Sequence, residues 1–285
     1  MFKNFFFIYL FFWGSISAFA QEKEGVFWEI TDPDTHVSSY LYGTIHLICQ
    51  EDFSIPDKVV KKLDESEYLV LEIDMDDPQL QVAMQQHLYN KDGQKITDFL
   101  SEEAYHKVHT FIKERTGMDM DMLKEMRPMV LMSLLYNNLL ECETMSLEIE
   151  LMSLANTGNK EVLGLETVDE QMSLFDHIPL SKQYESFYAY IKDIEKGQDE
   201  FRELINAYKQ EKIIDLLEMV SESPEYKDYQ DVFLYERNQN WLNPMAGIMK
   251  NGPAFFAVGA GHLAGPKGLI HLLKSKGYTV KRIDL

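Results

Sequence analysis

Short apolar runs lie toward the two ends of the chain, and amphipathic stretches of helical period fill the space between them. Val26-Phe27-Trp28-Glu29-Ile30 and Ser39 to Tyr42 read as strands, and the turn-rich Asp32-Pro33-Asp34 between them predicts a hairpin. A short helix beginning near Pro56 follows, with Val59, Val60 and Leu63 on its apolar face. Tyr68 to Ile73 and Val162 to Leu165 are further strand candidates. Ala254 to Val258 and Tyr278 to Ile283 close the sequence, separated by a helix over Lys267 to Lys276 that Gly277 ends. That last strand, Gly-rich turn, helix and strand form a βαβ pattern, which predicts parallel pairing.

Helical periodicity runs through Glu102 to Arg115, Pro128 to Leu140, Leu147 to Ala155, Gln183 to Ile194, Gln198 to Gln210, Lys212 to Met219 and Val232 to Met249. Pro128 suits a helix start and Gly158 a helix stop. Met129, Met132, Met145 and Met152 read as adaptable core filler. The expected fold is one α/β domain, a mixed central sheet built from both chain ends. A large helical insertion from about residue 78 to 250, interrupted once by the Val162 strand, walls a cleft over the sheet.

The first 20 residues fall outside that pattern. Lys3 precedes an apolar stretch from Phe5 to Trp13 that is too short to span a bilayer, and Ala18-Phe19-Ala20 is a small-x-small cleavage site. They read as a secretory signal peptide, with a mature domain over 21–285. No Cys follows the cleavage site, which argues against a lipid anchor. The expectation is a periplasmic or secreted protein with no stable membrane insertion after signal removal.

The formal net charge is −20, and loss of Lys3 makes the mature chain one unit more acidic. That surface argues against nucleic acid and anionic membrane as partners. Cys49 and Cys142 are the only cysteines. In an oxidising compartment they can pair, but their separation fits two buried thiols equally well.

Chemistry concentrates at the ends of the strand-like runs. Gly43-Thr44-Ile45-His46 and Gly259-Ala260-Gly261-His262 each follow an apolar run, and two other runs end in Glu72 and Glu166. Ligands of α/β sheets bind outside the carboxyl ends of the strands, so these four tips would converge on one place as a metal-type ligand set. A structural histidine, or a carboxylate emerging into solvent or opening a helix, is the plainer alternative at each position. His87, His106, His109, His177 and His271 lie in helical or loop surroundings and read as ordinary surface groups. No His-Glu-x-x-His helix, Walker loop or Gly-x-Ser-x-Gly elbow is present.

Taken in order, Gly43-Thr44-Ile45-His46-Leu47, Leu71-Glu72-Ile73-Asp74, Gly164-Leu165-Glu166-Thr167, Glu236-Arg237-Asn238 and Val258-Gly259-Ala260-Gly261-His262-Leu263-Ala264-Gly265 resemble the motifs of the TraB/PrgY/GumN family. The chain looks closest to its GumN-like bacterial branch, and the family also includes the Tiki metalloproteases. The resemblance implies an erythromycin-esterase/ChaN-like α/β fold and a divalent-metal site of Mn, Co or Zn. Carried over by position, it implies that His46 and His262 are metal ligands, with Glu72 a ligand or the base that activates water and Glu166 a further acid. Arg237 matches the family's helix arginine, a group for substrate carboxylate or oxyanion, with Asn238 beside it to help position it.

The function expected on these grounds is a secreted metal-dependent hydrolase, a peptidase first, acting on a peptide or small-molecule substrate through metal-activated water. The alternative is a non-catalytic peptide- or polysaccharide-associated binding protein. A haem or iron-handling role by analogy with ChaN carries little weight, because no haem-attachment motif is present.

Overall fold

The computed structural model describes residues 24–139, 142–224 and 226–285; the signal-like segment lies outside them. The chain enters through β1 (Phe27–Thr31), β2 (Ser38–Thr44) and a two-residue β3 (Ile48–Cys49). Next come α1 (Asp57–Asp64), β4 (Tyr68–Ile73) and α2 (Leu80–Gln86). A helical stretch follows with α3 (Glu102–Thr116), α4 (Met120–Leu123) and α5 (Pro128–Leu139). Then β5 (Thr144–Met145), α6 (Leu147–Thr157), β6 (Glu161–Glu166) and α7 (Val168–Ser173) return the chain to the sheet. Helices α8 (Leu180–Lys192), α9 (Ile194–Lys209), α10 (Ile213–Glu222) and α11 (Glu236–Asn251) lead to β7 (Ala254–Gly259), α12 (Leu269–Ser275) and β8 (Thr279–Arg282).

The six long strands form one mixed sheet in the order β6-β4-β7-β2-β1-β8. The four from β6 to β2 are parallel, and β1 is antiparallel to both of its neighbours. Phe255, Phe256, Ala257 and Val258 of β7 and Leu69, Val70 and Leu71 of β4 are all buried. Central parallel strands are covered on both faces, so they read as continuous apolar runs. Each large side chain buried this way contributes about 1.5–3 kcal/mol.

The hairpin expected at the N-terminus forms, with Phe27 opposite Tyr42. Direct parallel pairing of the last two strands does not. β8 runs parallel to β7 but lies three places away, at the sheet edge beside β1. Helix α12 carries the chain past two strands, and Lys281 and Arg282 suit the edge position because charge there discourages pairing with another chain.

The helical insertion is divided more deeply than its periodicity suggests. Ile96, Val108, Ile112, Leu131, Tyr184 and Phe187 form a second apolar cluster. Leu151 of α6, Ile205 of α9, Leu216 of α10 and Trp241 of α11 instead belong to the main core with the sheet. Cys49 and Cys142 are joined in a disulfide, which resolves the alternative left open by sequence. Beside it β3 pairs with β5, Ile48 opposite Met145. Among the described residues, no helix is long and apolar enough to cross a membrane.

Candidate functional site

Glu166, Glu72, His262 and His46 stand at or just beyond the carboxyl ends of β6, β4, β7 and β2, four adjacent parallel strands. Strand order therefore brings together residues that the sequence scatters. Gly259 ends β7, and its N–H donates to Glu72 Oε1 at 2.8 Å. A Cβ there would lie 3.3 Å from the same oxygen, so glycine permits the carboxylate's close approach. The chain then makes a short turn over Ala260–His262 that delivers His262 into the interior.

Arg237 is the hub of the cluster. It follows a π-helical turn over Asp231–Tyr235, and its side chain is buried. Nη2 donates to Glu72 Oε2 at 2.5 Å and to Glu166 Oε1 at 2.6 Å, and Nε also faces Glu166. Nη1 donates to the Phe233 carbonyl and to His262 Nε2, each at 3.1 Å. A guanidinium has five N–H donors, and all five are engaged here. The cation also lies over the Trp241 ring, 4.7 Å from its centroid.

Glu166 accepts from Arg237, from Gln171 Nε2 at 3.0 Å and from Trp241 Nε1 at 3.0 Å. Gln171 also reaches Glu72 Oε2 at 3.0 Å. It is held by α7, which Thr167 and Glu170 start with a capping box. Glu72 Oε2 is thus doubly occupied, whereas Oε1 meets the Gly259 N–H and lies 3.8 Å from His262 Nε2.

His262 is 4 % exposed. Its Nδ1 lies 2.7 Å from Asn238 Oδ1, while Asn238 Nδ2 donates to the carbonyls of His262 and Lys267. That network orients the amide, so Nδ1 carries the proton and Nε2 the lone pair. Asn238 accordingly positions His262 and not Arg237, as its sequence neighbourhood had suggested. Burial, reinforced by Arg237 and opposed by Glu72, lowers the His262 pKa to about 3, so the ring is neutral at pH 7. Burial would raise Glu72, but Arg237 outweighs it and holds the carboxyl well below its usual range.

His46 stands apart from this hydrogen-bonded cluster. Its side chain is 73 % exposed, and Nδ1 pairs with Glu148 Oε1 at 2.9 Å. Dehydration beside the protein disfavours its protonation, but the Glu148 hydrogen bond and the charges of Glu148 and Glu72 raise its pKa above the ordinary imidazole value. Glu148 is itself buried and held by Thr44 at 2.7 Å and Ser146 at 2.9 Å. Sequence reasoning missed Glu148, Gln171 and Trp241. Glu148 had a signal: it shares one helix face with Leu151 and Ala155, where a charged residue needs a buried partner. Trp241 likewise lies one turn after Arg237.

Two-His-plus-carboxylate chemistry suits a divalent cation, and Nε2 is the ring nitrogen left over from these side-chain partners on both histidines. As the side chains stand, no three His, Cys, Asp or Glu groups among the described residues are spaced to hold a metal ion. Arg237 Nη1 occupies the lone pair that His262 would offer.

The TraB/PrgY/gumN family model matches residues 26–282. The chain is similar to metalloprotease TIKI2 of Xenopus tropicalis, 23 % identical over 304 aligned positions that cover 86 % of this chain and 58 % of that protein. A metalloprotease TIKI homolog of Amphimedon queenslandica is 34 % identical over 55 residues, 18 % of this chain and 11 % of its own length. The chain thus spans less than two thirds of either relative. No solved structure matches it at a significant level.

Proposed function

The chain belongs to the TraB/PrgY/gumN family, and from that premise we propose that it is a metal-dependent hydrolase acting on peptides. His46, His262 and Glu72 form its centre at the carboxyl edge of the sheet. One observation carries the reading: on both histidines Nδ1 is tied to an oxygen, Glu148 in one case and Asn238 in the other. This is how protein metal sites fix the tautomer of a ligating imidazole and leave Nε2 for the ion. The metalloprotease names of the two relatives supply the reaction class.

A bound Mn, Co or Zn ion would supply Lewis acidity and a water of lowered pKa. The chain's own residues have separable tasks. His46 and His262 would hold the ion through Nε2, and Glu72 would hold it or take a proton through Oε1, its less occupied oxygen. Glu166 holds Arg237 in place. Arg237 keeps Glu72 ionised, and reaches substrate only if Nη1 leaves His262. For Nε2 to hold an ion, Arg237 Nη1 would have to leave it, which would free a donor toward substrate.

The disulfide supports a periplasmic or secreted location, because such bonds persist in oxidising compartments. A second reading is a binding protein without hydrolysis, favoured by Arg237 standing on His262 Nε2. Peptide-library cleavage by the purified protein, with chelator and with each of Mn, Co and Zn restored, separates the two. Metal-restored cleavage that His262→Ala abolishes supports the hydrolase, and binding without cleavage under every metal supports the alternative.

A further inference from the structure

Outside the His/Glu cluster, the structure holds an apolar cavity of about 230 Å³ that has no role in that site. Met129 and Met132 of α5, Phe187 of α8, Phe175, Tyr226 and Gln183 line it. Two chains of contacts link its walls to the site. Phe175 lies four residues after Gln171, which holds Glu72 and Glu166. Phe233, whose carbonyl holds Arg237, meets the Phe175 ring at 5.2 Å and the Tyr226 ring at 4.8 Å. The walls of the cavity are thus supported by the helical turns that carry the functional side chains.

Its chemistry is selective. An apolar cavity of about 150 Å³ takes a benzene-sized guest, so this one has room for a larger aromatic side chain. The lining is mostly apolar, and Gln183 borders it. Gln183 Nε2 donates to the carbonyls of Phe175 and Ile178, each at 2.8 Å, while its Oε1 is buried with no hydrogen-bond partner among the described residues. A buried acceptor left unpaired is costly, and a ligand that brings a donor recovers that cost.

We propose that the cavity is the specificity pocket of this site and receives a tyrosine or tryptophan side chain of a peptide lying across the His/Glu cluster. The aromatic ring fills the apolar volume, and the phenol O–H or indole N–H donates to Gln183 Oε1. The inference rests on the peptide reading above, but the pocket can be tested without cleavage.

In the full chain carrying ¹³C-methyl methionine, N-acetyl-tyrosinamide should shift the Met129 and Met132 methyl signals. Met249, buried in the main core, should not move. N-acetyl-phenylalaninamide should bind roughly fivefold more weakly, since it lacks the donor. Ser186→Phe, which fills the cavity from α8, should abolish both effects while an unchanged Met249 signal reports the fold. If that variant unfolds, Met132→Phe replaces it. Unmoved Met129 and Met132 signals, or equal binding of the two amides, would overturn the pocket. Selective binding of the tyrosine amide without cleavage of any peptide would support the pocket and remove the hydrolase reading. Metal-dependent cleavage with no preference for tyrosine or tryptophan would do the reverse.

Discussion

Glu148 Oε1 lies 2.9 Å from His46 Nδ1, although the two residues are 102 positions apart. The contact is built by a strap. Two residues after His46 the chain enters β3, pairs with β5 and is bonded through Cys49 to Cys142. Ser146 then caps α6, whose first turn carries Glu148. An exposed imidazole is thereby oriented through Nδ1 by a buried carboxylate.

Glu148→Gln should weaken the acceptor and lower divalent-metal affinity by roughly 10–100-fold, as loss of a ligand's outer partner does. Titration calorimetry with Mn, Co and Zn measures this. Affinity equal to that of the unaltered protein would mean that His46 takes no part in the site.

Arg237→Met should be the most damaging single change to the folded state. It leaves Glu72 and Glu166 buried beside each other without their cation, at a cost of about 3–5 kcal/mol. Lysine should rescue little, because a single ammonium cannot reproduce the forked contacts. Urea unfolding of both variants checks this, and an unchanged midpoint for Arg237→Met would show that the cluster is solvated in solution.

Opening the Cys49–Cys142 bond with Cys142→Ser should cost about 2–5 kcal/mol. It should also weaken metal binding, since the strap holds His46 against Glu148. Thermal unfolding with and without reductant, followed by metal titration of the variant at a temperature where it is folded, tests both. Loss of stability with unchanged affinity would confine the disulfide to a structural role.

Gly164→Ala probes the sheet beneath the site. A Cβ there would stand 2.5 Å from the Asp74 backbone nitrogen, too close without moving β4 or β6. The expected loss is about 1–3 kcal/mol in urea unfolding. A neutral result would mean that the two strands separate easily at their ends.

The strand tips were legible because a buried parallel strand is a continuous apolar run, and a polar residue that ends it stands out. His46, Glu72, Glu166 and His262 were visible that way, as was Gly277 ending α12. What escaped sequence reading depends on order in space. Nothing in the chain says that β4 and β7 sit side by side, or that β8 passes to the far edge. Glu148 and Gln171 lie on helices whose docking is set by tertiary packing, so their partners emerge only with the fold. The five donors of Arg237 show the same limit. Its motif suggested a free substrate-binding group, whereas the folded cluster engages every N–H.

Metal stoichiometry tests the shared site most directly. The purified protein, stripped with chelator and reloaded separately with Mn, Co and Zn, should bind one equivalent of at least one of them by elemental analysis. His46→Ala and His262→Ala should each lose it while circular dichroism shows the fold intact, and His106→Ala should retain it. Full metal occupancy in both histidine variants, or no stoichiometric binding of any of the three metals by the unaltered chain, would contradict a metal centre at the ends of these strands.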